Sequence, residues 1–331
     1  MSADNQPLVS VVTPVYNGER HLAECIESVL NQTYENWDYV IVNNRSTDRT
    51  LDIAQDYAER DRRIRIYNNE TFLSLFGNHN NAVRQIADRS KYCKILQADD
   101  LMFPECLAEM VKLAEAHPSV GLVGSYRIIG DFVSYGLPYP TSAISGREIC
   151  RKYLDGDNDV FGTPSSVLIR SDLVRRREAL FNEKNVSADK EAECDILQDS
   201  DFGFVHQVLT YSRVHGEQAG SSLYRNNGFI IGKIHTFRRL GHLFFEKEEY
   251  ERRLEKWMRD YYRILGGSAL RMRGRKYWQY QRETLEAIGD KLDYFRIFRA
   301  ALLEVMDALL NPKSTAERVL RKVTGNGKNA P

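Results

Sequence analysis

Two adjacent carboxylates, Asp99 and Asp100, end the run Tyr92-Cys93-Lys94-Ile95-Leu96-Gln97-Ala98-Asp99-Asp100. Their chemistry is that of a hard-cation site. Carboxylate oxygens suit Mg²⁺ or Mn²⁺, and an acidic pair just past the C-terminal end of a buried strand lies on the ligand side of an open α/β sheet. There a cation is shared with substrate phosphates. A turn or helix cap is the competing reading, because Pro104 is placed to open a helix.

The elements that would position this pair are legible upstream. Val9-Ser-Val-Val-Thr-Pro14-Val15-Tyr16-Asn17 is a β-branched strand running into a loop. Leu22, Ile26, Val29 and Leu30 then fall on one face of a helix, with Asn17 as its expected cap. A second unit repeats the pattern: Tyr39-Val-Ile-Val42 reads as a strand, Asn43-Asn44-Arg45-Ser46-Thr47-Asp48 as its polar exit loop, and Leu51, Ala54, Tyr57 and Ala58 as the next helix. Ile64 to Tyr67 reads as a third strand. Such alternation predicts right-handed crossovers, a mostly parallel sheet, and loops gathered at one edge.

Taken together, Val9 to Asn17, the Ser46-Thr47-Asp48 loop, Gln97 to Asp100 and the Phe103-Pro104 turn resemble the nucleotide-sugar-binding half of family 2 glycosyltransferases. The resemblance implies a GT-A fold, a Rossmann-like α/β sheet flanked by helices. It further implies a nucleoside diphosphate sugar donor, a divalent cofactor (Mg²⁺ or Mn²⁺), and transfer with inversion. On this reading residues 1–225 form the catalytic domain, with donor binding in 1–125 and the acceptor side in 126–225. Residues 226–331 form a helical C-terminal region.

The same resemblance assigns donor binding to Pro14, Val15, Tyr16, Asn17, Asn44, Ser46, Asp99 and Asp100, and metal binding to Asp100 and His215. Tyr16 would lie against the base. The sequence departs from the family where Asn43-Asn44-Arg45-Ser46 replaces Asp-Asp-Gly-Ser or Asp-Asn-Gly-Ser, and where Gln97 stands in place of an acid. An amide at Asn44 still accepts and donates hydrogen bonds, so it leaves binding open while blurring base preference. His215 follows Ser212-Arg213-Val214 and precedes a Gly/Ser stretch expected to close over the donor.

Inverting transfer needs a base that removes the acceptor hydroxyl proton. Among the four acids of Ser187-Ala188-Asp189-Lys190-Glu191-Ala192-Glu193-Cys194-Asp195, Asp189 best matches the family's base position, and Glu191 is its rival. Ala188 replaces the acid that usually precedes.

Formal net charge is zero, with 46 basic and 46 acidic residues, yet the segment after residue 225 carries an excess of about nine positive charges. It is rich in aromatics, and Arg271, Arg273, Arg275 and Lys276 are its densest basic cluster. An ordinary helical subdomain competes with peripheral contact at an anionic inner membrane face, where a lipid-linked acceptor would be met. No reading motif for nucleic acid accompanies the charge. Five scattered cysteines without metal-like spacing fit a reduced, cytoplasmic protein.

The expected function is therefore sugar transfer from a nucleoside diphosphate sugar, UDP-sugar favoured, to a glycan or lipid-linked acceptor in cell-surface polysaccharide assembly. A non-catalytic nucleotide-sugar or glycan-binding protein is the alternative. The first turn lacks the Gly-rich phosphate loop of a nucleotidylyltransferase and the Gly-x-Gly-x-x-Gly of a dehydrogenase.

Overall fold

The computed structural model describes residues 6–214 and 225–311. The chain runs β1 (Val9–Val15), α1 (Leu22–Leu30), β2 (Trp37–Asn43), α2 (Thr50–Arg60), β3 (Ile64–Asn68), α3 (Leu75–Arg84), β4 (Tyr92–Ile95), β5 (Leu101–Met102) and α4 (Cys106–Ala116). It continues with β6 (Val120–Ile129), β7 (Phe132–Val133), β8 (Ala143–Ile144), α5 (Gly146–Asp155), a 3₁₀ turn at Pro164–Ser166, β9 (Leu168–Arg170), α6 (Ser171–Arg175), α7 (Ala188–Ile196) and β10 (Asp201–Ser212).

All seven residues of β1 are buried, because helices cover both faces of a parallel strand and remove the need for alternation. The sheet order is β3-β2-β1-β4-β9-β6-β10-β5. Pairing is parallel from β3 to β4, antiparallel on both sides of β9, parallel between β6 and β10, and antiparallel at β5. β1 thus has β2 on one side and β4 on the other, which opens a crevice between their C-terminal ends. Val11, Ile26, Val29, Ile41, Leu96 and Leu107 pack in the core beneath that crevice.

Local departures from the sequence reading have physical causes. His21, not Asn17, precedes α1, and it makes no side-chain cap. Asn17 instead adopts φ 50° within the loop. The stretches Phe202–Val205 and Val208–Ser212 are one strand, β10, interrupted by register shifts between Val205 and Val208. Helix α3 was not legible because it buries Asn78, His79 and Asn80 in place of apolar residues.

The chain divides into two compact units, Met1–Tyr250 and Glu251–Pro331. Helix α8 (Gly228–Phe244) belongs to the first, where Arg147 Nη1 donates to the carbonyl of Leu243 at 2.8 Å. The division expected at residue 225 therefore lies one helix earlier than this one. Helix α9 (Lys247–Leu270) runs into the second unit, which continues with α10 (Arg275–Ala287) and α11 (Tyr294–Leu310). There Tyr261 donates to Gln281 Oε1 at 2.9 Å, and a Cβ at Gly266 would meet the backbone nitrogen of Ala301 at 2.7 Å, so α9 and α11 touch closely. No helix among the described residues is long and apolar enough to cross a membrane.

Candidate active site

The loops after β1 and β2 are tied to each other. Asn17 N–H donates to Ser46 Oγ at 3.0 Å, Thr47 N–H to Asn17 Oδ1 at 2.8 Å, Gly18 N–H to Thr50 Oγ1 at 2.7 Å, and Glu19 N–H to Asp48 Oδ2 at 3.0 Å. Pro14 and Val15 are buried at the end of β1, whereas Tyr16 and Asn17 are exposed. Tyr16 meets Phe72 edge-on, with ring centroids 4.9 Å apart. Both rings are largely open, at 49% and 62% exposure, so they offer an aromatic corner to a planar ligand. Phe72 escaped sequence reasoning, because a single aromatic in Asn69-Glu-Thr-Phe72-Leu-Ser74 carries no signal.

Asn44 is 3% exposed, and its amide is committed to protein. Its Nδ2 donates to the Leu73 carbonyl at 2.9 Å, while its Oδ1 accepts from Leu73 N–H and Asn69 Nδ2, both at 2.9 Å. Asn69 is itself bound to Asn78 and Asn81. Asn44 thus holds the segment that carries Phe72. Beside it, Arg45 has φ 62°, the left-handed backbone that explains why glycine is usual at this place in the family.

Asp100 is 2% exposed in the turn between β4 and β5, with Asp99 half-buried beside it. Ser212 Oγ donates to Asp100 Oδ2 at 3.4 Å, and Ser165 and the Arg213 backbone also hydrogen-bond the carboxyl. Burial, reinforced by the charge of Asp99, pushes Asp100 up to about 7, against the opposing pull of Ser165 and Arg127. Ser165 also accepts from Gln97 N–H at 3.0 Å. The turn carrying Ser165 is pinned by the fully buried Lys94, whose Nζ donates to the Ser165 carbonyl at 2.6 Å and the Val167 carbonyl at 3.3 Å. Burial holds the Lys94 ammonium below its ordinary value.

On the acceptor side, Asp189 opens α7 and borders a small internal space with Ile95, Pro164 and Glu193. Lys190 Nζ lies 3.0 Å from Glu193 Oε2, 3.2 Å from Asp159 Oδ2 and 3.8 Å from Asp189 Oδ2, and donates to the Gly162 carbonyl. Burial would depress this ammonium, but Asp159, Glu193 and Asp189 reverse the effect and hold it above its ordinary value. Glu191 faces elsewhere. It is 1% exposed, accepts from Asn182 at 2.9 Å and Asn185 at 2.6 Å, and pairs with Arg239 of α8. Its carboxylate is fully used in joining α7 to α8.

His215 lies outside the described residues; the chain before it brings Ser212 and Arg213 onto Asp100. Among the described residues no group of three His, Cys, Asp or Glu could hold a metal ion. The donor set at Asp99 and Asp100 nevertheless fits Mg²⁺ or Mn²⁺, since such ions often take one or two carboxylates and complete their shell with phosphate and water. A separate cleft of about 810 Å³, lined by residues such as Pro138, Glu148, Lys152 and Tyr153, contains none of the residues expected from sequence.

Comparison with known proteins agrees with this geometry. An uncharacterized glycosyltransferase of Haemophilus influenzae is 28% identical over 236 residues, covering 67% of this chain and 70% of that protein. The putative glycosyltransferase EpsE of Bacillus subtilis is 37% identical over 126 residues, which span 38% of this chain and 45% of EpsE, less than half its length. Among solved structures, S. aureus TarS 1-349 in complex with UDP-GlcNAc superposes with a TM-score of 0.64 at 16% identity, covering 84% of this chain and 79% of that one. The mannosyltransferase PcManGT from Pyrobaculum calidifontis, in complex with GDP-Man and Mn²⁺, gives a TM-score of 0.54 at 15% identity over 92% of this chain and 89% of its own. These two establish the likeness of fold. Residues 10–180, slightly over half of the chain, match the family described as Glycosyl transferase family 2, and the chain belongs to that family.

Proposed function

We propose that the protein transfers a sugar from a nucleoside diphosphate sugar, with a UDP-sugar favoured, to a hydroxyl of a glycan or lipid-linked acceptor in cell-surface polysaccharide assembly, inverting the anomeric carbon. One observation carries the reading. Asp100 is buried in the turn between β4 and β5 and hydrogen-bonded by Ser165 and Ser212, and it stands on the same sheet edge as the loops that expose Tyr16 and Phe72. The neighbours solved with UDP-GlcNAc and with GDP-Man and Mn²⁺ support a donor of this class.

In this proposal Tyr16 and Phe72 hold the base, and Asn17, Ser46 and the backbone after Pro14 fix its approach. Asp99 and Asp100 would hold the divalent ion, which when bound offsets charge on the departing diphosphate. Asp189 accepts the proton of the acceptor hydroxyl as that oxygen attacks the anomeric carbon and the bond to the diphosphate breaks. Lys190 holds the carboxylate in place. Glu191, the rival base, joins α7 to α8 in this account.

Calorimetric titration with UDP, dTDP and GDP, with and without Mn²⁺, tests the donor site, and donor turnover tests catalysis. Binding of one nucleotide that needs both Mn²⁺ and Asp100, followed by turnover, supports the transferase. Metal-dependent binding without turnover, whatever glycan is supplied, favours the non-catalytic alternative, to which the neutral Asn43, Asn44, Gln97 and Ala188 lend support.

A further inference from the structure

Two nitrogens of a half-buried guanidinium near Asp100 have no hydrogen-bond partner. Arg127 projects from β6, and its Nε and Nη1 are inaccessible yet make no hydrogen bond. Buried polar groups are almost always satisfied, and each exception requires a reason. The unpartnered donors here belong to a permanent cation, so its unliganded state is costly.

The surroundings show what is missing. Arg127 lies close enough to Asp100 to lower its pKa, yet forms no ion pair with it. The nearby Lys190 is already shared by Asp159, Glu193 and Asp189. Gly162, at φ 83°, leaves the flank of the guanidinium clear, since a Cβ there would lie 3.5 Å from Nε. Register pairs Arg127 with Thr210 of β10, so both side chains leave the same face of the sheet. The Thr210 hydroxyl is likewise buried without a partner. Two positions along β10, on that face, Ser212 reaches Asp100. Two unpaired guanidinium nitrogens and an unpaired hydroxyl therefore lie on the side of the sheet from which Ser212 reaches the carboxylate expected to meet substrate phosphate.

We infer that Arg127, with Thr210 beside it, is an anion-binding position that takes a phosphate oxygen at this centre. The inference rests on the proposed transferase reading and adds a residue that the sequence motifs do not include. Guanidinium suits the role because its planar donors bind phosphate oxygens in pairs. The phosphate has two sources, the diphosphate of the donor or a phosphate carried by the acceptor.

Calorimetry on the full chain with Mn²⁺ separates them, using wild type, Arg127→Gln, Arg127→Lys and Thr210→Val. If the donor is the source, Arg127→Gln weakens UDP by tenfold or more, UMP by less than twofold, and Arg127→Lys recovers part of the loss. If the acceptor is the source, UDP affinity is unchanged, and inorganic phosphate binds the UDP-saturated wild type but not Arg127→Gln. In both cases Thr210→Val shifts the same affinity in the same direction. Because Nε and Nη1 are buried without hydrogen bonds in the free protein, Arg127→Gln leaves Tm unchanged or raises it. UDP and phosphate binding within twofold of wild type in Arg127→Gln, or a Tm lowered by several degrees with binding intact, overturns the inference. If the wild type binds neither UDP nor GDP, the transferase reading fails by itself. Phosphate titrated into the nucleotide-free protein then decides on Arg127, loss in Arg127→Gln upholding it and equal binding or none overturning it.

Discussion

Lys94 Nζ donates to the carbonyl of Ser165 at 2.6 Å, joining the middle of β4 to a turn more than seventy residues later in the chain. The same turn presents Ser165 Oγ to Gln97 N–H at 3.0 Å and to Asp100, so a fully buried lysine sets the position of the acidic motif.

Replacing Lys94 by Met removes the buried charge but leaves the carbonyls of Ser165 and Val167 without their donor, each at a cost of about 1–3 kcal/mol. The expected result is a lower Tm together with weaker Mn²⁺-dependent nucleotide binding. Ser165→Ala is expected to weaken binding with a smaller loss of stability, and thermal melts run beside calorimetry separate the two effects.

Tyr16 and Phe72 are expected to act as a pair on the base. Alanine at either position should weaken nucleotide binding by about 1 kcal/mol, roughly five- to tenfold. A double-mutant cycle should show coupling, because the rings touch at 4.9 Å. Loss at Tyr16 alone, with Phe72→Ala silent, would remove Phe72 from the site.

Burial raises Asp100 to about 7 in the free protein, so below that pH a cation must displace a proton. Metal-dependent nucleotide affinity should therefore rise by up to tenfold per unit between pH 5 and about 7 and level off above. Calorimetry in buffers of different ionisation enthalpy should show proton release only below about 7. The stability of the free protein runs the other way. The unfolded carboxyl loses its proton near its ordinary value, while the folded one keeps it until about 7. Stability thus falls across that interval, by at most about 1.4 kcal/mol per unit, and Asp100→Asn should flatten both profiles.

Asp189 and Glu191 should fail in different ways. Asp189→Asn is expected to cut turnover by about 10² to 10⁴ while nucleotide binding and Tm hold. Glu191→Ala removes an acceptor shared by Arg239, Asn182 and Asn185 and should destabilise the protein by about 3 kcal/mol. Equal stability of Glu191→Ala and wild type in urea melts would refute its joining role.

Arg45 at φ 62° carries strain that glycine would relieve. Allowing for the extra chain entropy of glycine, Arg45→Gly should stabilise by up to about 1 kcal/mol, seen as a Tm higher by roughly 2 °C.

The donor half was legible because its signals are local. β-branched runs, polar exit loops and the Asp99-Asp100 pair each lie within a few residues, and β1, α1, β2 and β4 formed where their apolar periods indicated. Helix α3 was hidden because its inward face is built of amides, with Asn69, Asn78 and Asn81 satisfying one another, which no hydrophobic period reports. Arg127, Lys94 and Phe72 were hidden for another reason. Each matters through a neighbour distant in sequence, and a guanidinium with two unpaired nitrogens looks like any other arginine until its surroundings are assembled.

The pairing of β4 with β9, Tyr92 opposite Arg170 and Lys94 opposite Leu168, also orders events in time. β1 to β4 pair in parallel and all precede β9 in the chain, so this block leaves the ribosome before its remaining partner strand. Until the turn at Pro164–Ser166 and β9 arrive, one edge of β4 is open and Lys94 lacks the carbonyls that receive it. An unpaired edge can recruit another chain, and a charged lysine on that strand opposes such recruitment while it waits. Nascent chains stopped before Pro164 should therefore aggregate more when Lys94 is replaced by Met, so the residue that later sets the acidic motif would first serve as a guard during synthesis.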